Sequence, residues 1–212
     1  MDLNERYYAE PLSAFVRTRL HDHTLHNAHL LDAARAAGLR IGKFKRSLVL
    51  PRVKKVLGLL RAFNPLDFMD IGSGRGAFLW PLLDAFPKLS VHSIESSEQR
   101  FSDLAAISAG GLSRLRPHLM DVCGLDFNDD AVDGVSFLEV LEHLEDPRAA
   151  AREVVRVARR FIVLSVPSKP DDNPEHIHFF LPDELEDIFL SAGARSIRVE
   201  HVLNHRIGVI QV

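Results

Sequence analysis

A single cysteine, Cys123, occurs among the 212 residues, so no intrachain disulfide is available and a reducing, cytoplasmic setting is expected. Cys123 itself reads as a small buried apolar residue. No apolar run approaches the roughly 20 residues that a membrane-crossing helix needs, and no membrane role is expected. The first residues, Met1-Asp-Leu-Asn-Glu-Arg6, lack the apolar stretch of a signal peptide. Internal repeats and low-complexity linkers are absent as well. What is present is ordinary globular material. Hydrophobic residues make up 46% and charged residues 26%, enough to bury a core, and the length suits one α/β domain with a modest extension.

The net charge of −3 conceals an asymmetry. Residues 1–65 hold 12 Lys and Arg against 5 Asp and Glu, whereas residues 66–212 hold 14 against 24. A basic module ahead of an acidic domain would either attract an anionic partner or pack on its acidic neighbour; packing is the expectation.

Apolar periodicity divides the chain at the same place. Leu12, Phe15, Val16 and Leu20 form one helical stripe, and Leu30, Leu31, Ala34 and Ala37 form another that Gly38 stops. Lys43-Phe-Lys-Arg46 is a basic patch, and a further helix starts at Pro51 and breaks at Asn64-Pro65. Beyond residue 65 strands alternate with helices. Strands are expected at Asp67–Ile71, Ser90–Ile94, Arg116–Asp121, Val132–Leu138, Arg160–Val166, Ser196–Leu203 and Arg206–Val212. Helices are expected at Phe78–Ala85, Glu98–Ala109, Pro147–Val157 and Pro182–Ala192. Alternation of this kind implies a mostly parallel sheet covered on both faces. The last two strands are joined by a turn at Asn204-His205 and should form an antiparallel hairpin.

Between the first strand and its helix lies Gly72-Ser-Gly-Arg-Gly76, whose glycines allow a sharp turn and a close approach of backbone to ligand. Gly72, Gly74 and Ala77 also fit a dinucleotide fingerprint. Asp70 separates the two readings. A carboxylate at that loop repels a pyrophosphate, which seeks helix N-terminal amides, but favours the ammonium and sulfonium of S-adenosylmethionine. Glu95, 19 residues past Gly76 at the end of the second strand, suits both hydroxyls of a ribose.

The segment Phe68-Met-Asp-Ile-Gly-Ser-Gly-Arg-Gly76 resembles the first motif of class I S-adenosylmethionine-dependent methyltransferases, of the type 11/12 kind. Met120-Asp-Val-Cys123 resembles the family's adenine-recognising segment, and Ala131–Leu144, with Glu139-Val-Leu-Glu-His143, its fourth strand and the turn after it. Pro182–Ala194 followed by a hairpin is similar to the usual end of the domain. The resemblance covers residues 66–212, with 1–65 as an N-terminal helical cap. It implies an α/β, Rossmann-like sheet of seven strands, the last inserted antiparallel, with S-adenosylmethionine at the carboxyl ends of the strands. The implied cofactor residues are Asp70, Gly72, Ser73, Gly74, Gly76, Glu95, Ser96, Asp121, Val122 and Glu139. Pro81 departs from the family's pattern, and a local adjustment of the helix after the loop is expected.

Methyl transfer is a direct displacement that discharges the sulfonium, and a hydroxyl or amine acceptor also needs a base. His143 and His178 are the candidates, with Asp172 as a further substrate contact. If a helical turn starts at Glu139, then Glu139, Glu142 and His143 share a face at i, i+3 and i+4. With His176 or His178 they would suit Mg²⁺ or Mn²⁺. Quinone-precursor O-methyltransferases and RNA 2′-O-methyltransferases carry a similar E-x-x-E-H segment. The expectation is no metal, with Glu139, Glu142, His143 and His178 as the alternative ligand set. His21, His23, His26 and His29 are expected to face solvent or line a lid. The expected acceptor is a small molecule; nucleic acid is the alternative partner. A domain that binds the cofactor without turning over is the reading from another class.

Overall fold

The computed structural model describes residues 3–46 and 49–212; Met1 and Asp2 of the polar start lie outside them. Seven strands form one sheet: β1 (Asp67–Ile71), β2 (Ser90–Glu95), β3 (Leu115–Leu119), β4 (Val132–Leu138), β5 (Ala158–Pro167), β6 (Ser196–Val202) and β7 (His205–Gln211). Their order is β3-β2-β1-β4-β5-β7-β6. The first five run parallel, while β7 lies antiparallel between β5 and β6. The expected fold class and the inverted last strand are therefore observed. Five parallel strands bring their carboxyl ends to one edge, which is where a ligand site forms in such sheets.

Eight helices accompany the sheet among the described residues: α1 (Leu3–Arg6), α2 (Ala9–Leu20), α3 (Asn27–Ala36), α4 (Pro51–Phe63), α5 (Leu79–Ala85), α6 (Glu98–Ala109), α7 (Pro147–Val157) and α8 (Pro182–Ser191). Side-chain alternation along the strands sends residues to two separate cores. Phe161 and Val163 of β5 point to one, with α2 to α6. Ile162, Leu164 and Val166 point to the other, with α7 and α8. Helices thus cover both faces, and each fully buried Leu or Phe contributes about 2 kcal/mol.

Most expected elements fall within one or two residues of their observed bounds. The third strand is the largest difference: it stops at Leu119, because Asp121 leaves the sheet for a turn in which its Oδ1 accepts the Cys123 amide (2.8 Å). Pro117 is tolerated in this strand because β3 lies at the sheet edge. The same turn overturns the expectation for Cys123, which is exposed. Its backbone is committed to the Asp121 turn, and the thiol is left outside the core. Pro81 occupies the third position of α5, where a helix has no acceptor for an amide, so the helix simply starts at Leu79.

Residues 3–63 do not stand apart. Leu12, Phe15, Val16, Leu30, Phe44, Val56 and Leu60 are buried in the same core as Phe68, Val91 and Leu104. Basic residues of this segment meet acids of the sheet region: Arg46 with Asp84 (2.6 and 2.8 Å), Arg19 and Lys43 with Asp103, and Lys55 with Glu200 (2.6 Å). Packing of the basic module on an acidic neighbour is what the structure shows. Helix α2 reaches α6 so closely that a Cβ added to Gly110 would overlap the Ala14 carbonyl. Gly110→Ala is therefore expected to cost about 1–3 kcal/mol in chemical denaturation and to speed amide exchange across α2. An unchanged denaturation midpoint would show that α2 is only loosely seated.

Candidate active site

A row of polar groups crosses the middle of the sheet beneath the glycine loop. Asp70 on β1 is in register with Ser93 on β2 and with Ser136 on β4. All three are buried, Asp70 to 3% exposure. Ser136 Oγ donates to Asp70 Oδ1 (2.6 Å) and Ser73 Oγ to Oδ2 (2.7 Å), while Ser73 and Ser93 hydroxyls lie 2.6 Å apart. Burial pushes the Asp70 carboxyl up to about 6, against the lowering effect of the two serine hydroxyls. Asp70 thus lies under the loop, held by serine hydroxyls.

The loop turns on three left-handed glycines, Gly72 (φ 68°), Gly74 (φ 57°) and Gly76 (φ 82°). Gly76 is also required by contact, because a Cβ there would run into the Trp80 indole. The indole nitrogen of Trp80 in turn donates to the Arg75 carbonyl (3.0 Å) and fixes the loop's exit. At Gly72 the obstacle is Val140, which follows β4.

Glu95 ends β2 beside this loop and is 3% exposed. Its Oε2 accepts the Gly74 amide (2.9 Å) and its Oε1 the Ser97 amide (3.3 Å), with the Arg100 guanidinium 3.8 Å away. A carboxylate has about four acceptor sites, so each oxygen keeps one for a ribose hydroxyl. Ser96 is exposed at the same strand end, Asp121 is exposed after β3, and Val122 is buried beside Leu125.

Glu139 follows β4 with a left-handed backbone (φ 56°), uncommon for a side-chain-bearing residue. Ser165 holds it twice: its carbonyl accepts the Glu139 amide (2.9 Å) and its hydroxyl donates to Oε1 (2.6 Å). Oε2 lies 3.2 Å from His205 Nε2, and Arg52 of α4 stands 3.9 Å from Oε1. The helical turn imagined from Glu139 does not form. Only Leu141–His143 makes a short 3-10 turn, so Glu139 and Glu142 diverge.

Glu142 is fully buried, and neither carboxylate oxygen has a hydrogen-bond partner. Burial, then the charge of Glu139, pushes its carboxyl up to about 8. Its ligand atoms and those of His143 and His176 all lie within 4.8 Å of one another. Glu139 and His178, the other members of the alternative ligand set, are not in that group. The segment 176–178 is hung on the Glu142 carbonyl by the amides of Ile177 (3.0 Å) and His178 (3.2 Å). Ile177 and Phe179 are exposed, while Phe180 is buried in the core. His143 Nδ1 must donate to the Glu175 carbonyl (2.9 Å), which leaves Nε2 as a free lone pair. His176 Nδ1 meets Asp171 (2.9 Å), whereas Asp172, the expected contact, is exposed. His178 keeps a buried, unpartnered Nε2. In the N-terminal group, His26 caps α3 by accepting the Ala28 amide.

Sequence reasoning missed Ser93 and Ser136, Trp80, and the Glu139 partners Arg52, Ser165 and His205. A serine in an otherwise apolar buried strand was the available signal for the first two.

Residues 69–161 match the family described as a methyltransferase domain. A S-adenosylmethionine-dependent methyltransferase from Aquifex aeolicus shares the fold at 20% identity and TM-score 0.61, over 76% of this chain and 96% of that one. The magnesium protoporphyrin IX methyltransferase of Synechocystis, with S-adenosylmethionine bound, does so at 22% and 0.59, over 75% and 77%. The YcgJ protein of Bacillus subtilis aligns at 19% and 0.60, over 71% and 70%. No curated protein has a matching sequence. Residues 69–161 thus match a methyltransferase domain, and the sheet as a whole has the fold of S-adenosylmethionine-dependent methyltransferases.

Asp70 gives this site a pH signature. With its folded carboxyl at about 6, above the ordinary 3.8, the stability contributed by the protonated form is lost as pH rises from about 4 to about 6. A cationic donor favours the ionised form, so binding should expel a proton in that window. S-adenosylmethionine affinity measured by calorimetry is expected to fall about tenfold from pH 7.5 to pH 5, and Asp70→Asn to flatten the profile. A wild-type affinity independent of pH would remove Asp70 from donor recognition.

Proposed function

We propose that the enzyme transfers the methyl group of S-adenosylmethionine to a small-molecule acceptor by direct displacement, in the reducing setting its single cysteine suggests. Asp70, Gly72, Ser73, Gly74 and Gly76 would hold the amino-acid end and the sulfonium. Glu95 and Ser96 would take the ribose, and Asp121 with Val122 the adenine. The carrying observation for the acceptor is a cavity of about 340 Å³ between the glycine loop and the N-terminal segment. Tyr8, Val49, Leu50, Trp80 and Pro81 line it beside Gly76 and Ala77. A concave, mainly apolar space of this size suits a small organic molecule. Residues 1–65 would act as a cap that gives the acceptor its walls, with His143 and His178 as the candidate bases.

Methyl-labelled S-adenosylmethionine incubated with the protein and separated small-molecule, RNA and protein fractions of a cell extract is expected to label the small-molecule fraction. Glu95→Ala should lose that labelling and weaken S-adenosylhomocysteine binding about tenfold or more. Label confined to RNA or protein would overturn the acceptor class. Equal binding by the variant would overturn the role of Glu95.

One observation favours a metal-assisted form of the same reaction. A buried carboxylate with both oxygens unpaired is costly, and a cation beside it would relieve that cost. Two imidazoles and one carboxylate fit a divalent ion, and the nitrogen donors favour Mn²⁺ or Zn²⁺ over Mg²⁺. Bound there, the ion would lower the proton affinity of an acceptor hydroxyl. Glu142, His143 and His176 would hold it, with His143 oriented by the Glu175 carbonyl and the 176–178 segment fixed by its amides on the Glu142 carbonyl. Mn²⁺ titration is expected to show one site, lost in Glu142→Gln and His176→Ala while S-adenosylhomocysteine still binds. Absence of Mn²⁺ and Zn²⁺ binding to the wild type would sink the metal.

A further inference from the structure

Next to the acceptor cavity, and sharing Gly42, Lys43 and Arg75 with it, is a second cleft of about 540 Å³. Arg40, Gln99, Arg100 and Asp103 complete its lining. It is strongly basic, although the sheet region around it is acidic overall. Asp103 is the one acid in the lining, and it is already engaged by both Arg19 and Lys43. Arg100 stands beside Glu95. The guanidiniums of Arg40 and Arg75 have no hydrogen bond or ion pair among the described residues, and both side chains belong to exposed residues. They come from different segments, Arg40 from the one before the 3-10 turn Gly42–Phe44 and Arg75 from the glycine loop.

Free guanidiniums converging on a concavity bind carboxylate and phosphate groups, often with two hydrogen bonds each. We propose that this cleft is an oxyanion subsite, and that the methyl acceptor carries a carboxylate or phosphate held there by Arg40 and Arg75. The inference rests on the small-molecule reading above and sharpens it to an anionic substrate class. Two features favour a small anion over a nucleic acid. The cleft has a volume of about 540 Å³, within the range of small-ligand sites, and Lys43 and Arg46, which would extend the basic surface, are tied to Asp103 and Asp84.

The test is calorimetry on the full chain at low salt, with inorganic pyrophosphate titrated into protein saturated with S-adenosylhomocysteine. Wild type is expected to bind, and Arg40→Gln and Arg75→Gln each to weaken binding about tenfold. Arg152→Gln, on α7 at the opposite face of the sheet, should leave it unchanged. Arg40→Gln should keep its S-adenosylhomocysteine affinity within about twofold. If that variant instead loses S-adenosylhomocysteine but not 5′-methylthioadenosine, which lacks the amino-acid end, the anion held is the donor's carboxylate and the proposal is overturned. It is also overturned if pyrophosphate does not bind, or if a short single-stranded RNA binds far more tightly and is lost in the same variants. Failure of the wild type to bind S-adenosylhomocysteine at all would instead remove the methyltransferase reading, so the two failures are told apart.

Discussion

The buried carboxylate of Asp70 is the constraint around which the donor site is arranged. A charge under a glycine loop has to be paired, and no cation is supplied by the sheet. Two serine hydroxyls bond it instead, Ser136 from the neighbouring β4 and Ser73 from the loop, and Ser93 of β2 supports Ser73. Because Ser93 and Ser136 are the register partners of Asp70, a slip of one residue in either strand pairing would remove a hydroxyl from the row. The parallel register of β1, β2 and β4 and the position of the loop are therefore one arrangement. Glu95 extends it by accepting the Gly74 amide, so two carboxylates on adjacent strand ends grip the loop from below and from the side.

The N-terminal segment belongs to the same construction. Its apolar side chains enter the core on the glycine-loop side of the sheet, and Arg19, Lys43, Arg46, Arg52 and Lys55 pair with acids of the later chain. Arg40 escapes that pairing and lines a concavity next to the loop, as does Arg75. Part of the charge asymmetry seen along the sequence is thus structural packing of the segment on the sheet region.

Alternation of strand and helix patterns was enough to read the sheet, and the antiparallel end followed from the short turn at residues 204–205. That Asp70, the glycine loop and Glu95 lie together was legible because all are fixed by local sequence around strand ends. Other parts depended on tertiary contacts that spacing does not encode. The i, i+3, i+4 reading of Glu139, Glu142 and His143 assumed a helix. The left-handed backbone at Glu139, held by Ser165, turned the two acids apart. His176, in place of His178, then joined Glu142 and His143, through a segment more than 30 residues downstream. Cys123 was misplaced for a similar reason: the Asp121 side chain claims its amide and turns the thiol to the surface.

Glu139 also joins parts of the chain that are remote in sequence. Arg52 approaches it from the helix before the sheet, and His205 from the final hairpin, so one strained residue is the meeting point of segments at either end of the fold. Transplanting the helices before residue 65 onto a related domain would therefore change more than the walls of a pocket. It would alter the charge that balances a carboxylate at the end of β4, and the hairpin histidine would feel the change through the same oxygen pair. Modular exchange at this boundary is constrained by one side chain and its two distant partners, a guanidinium and an imidazole.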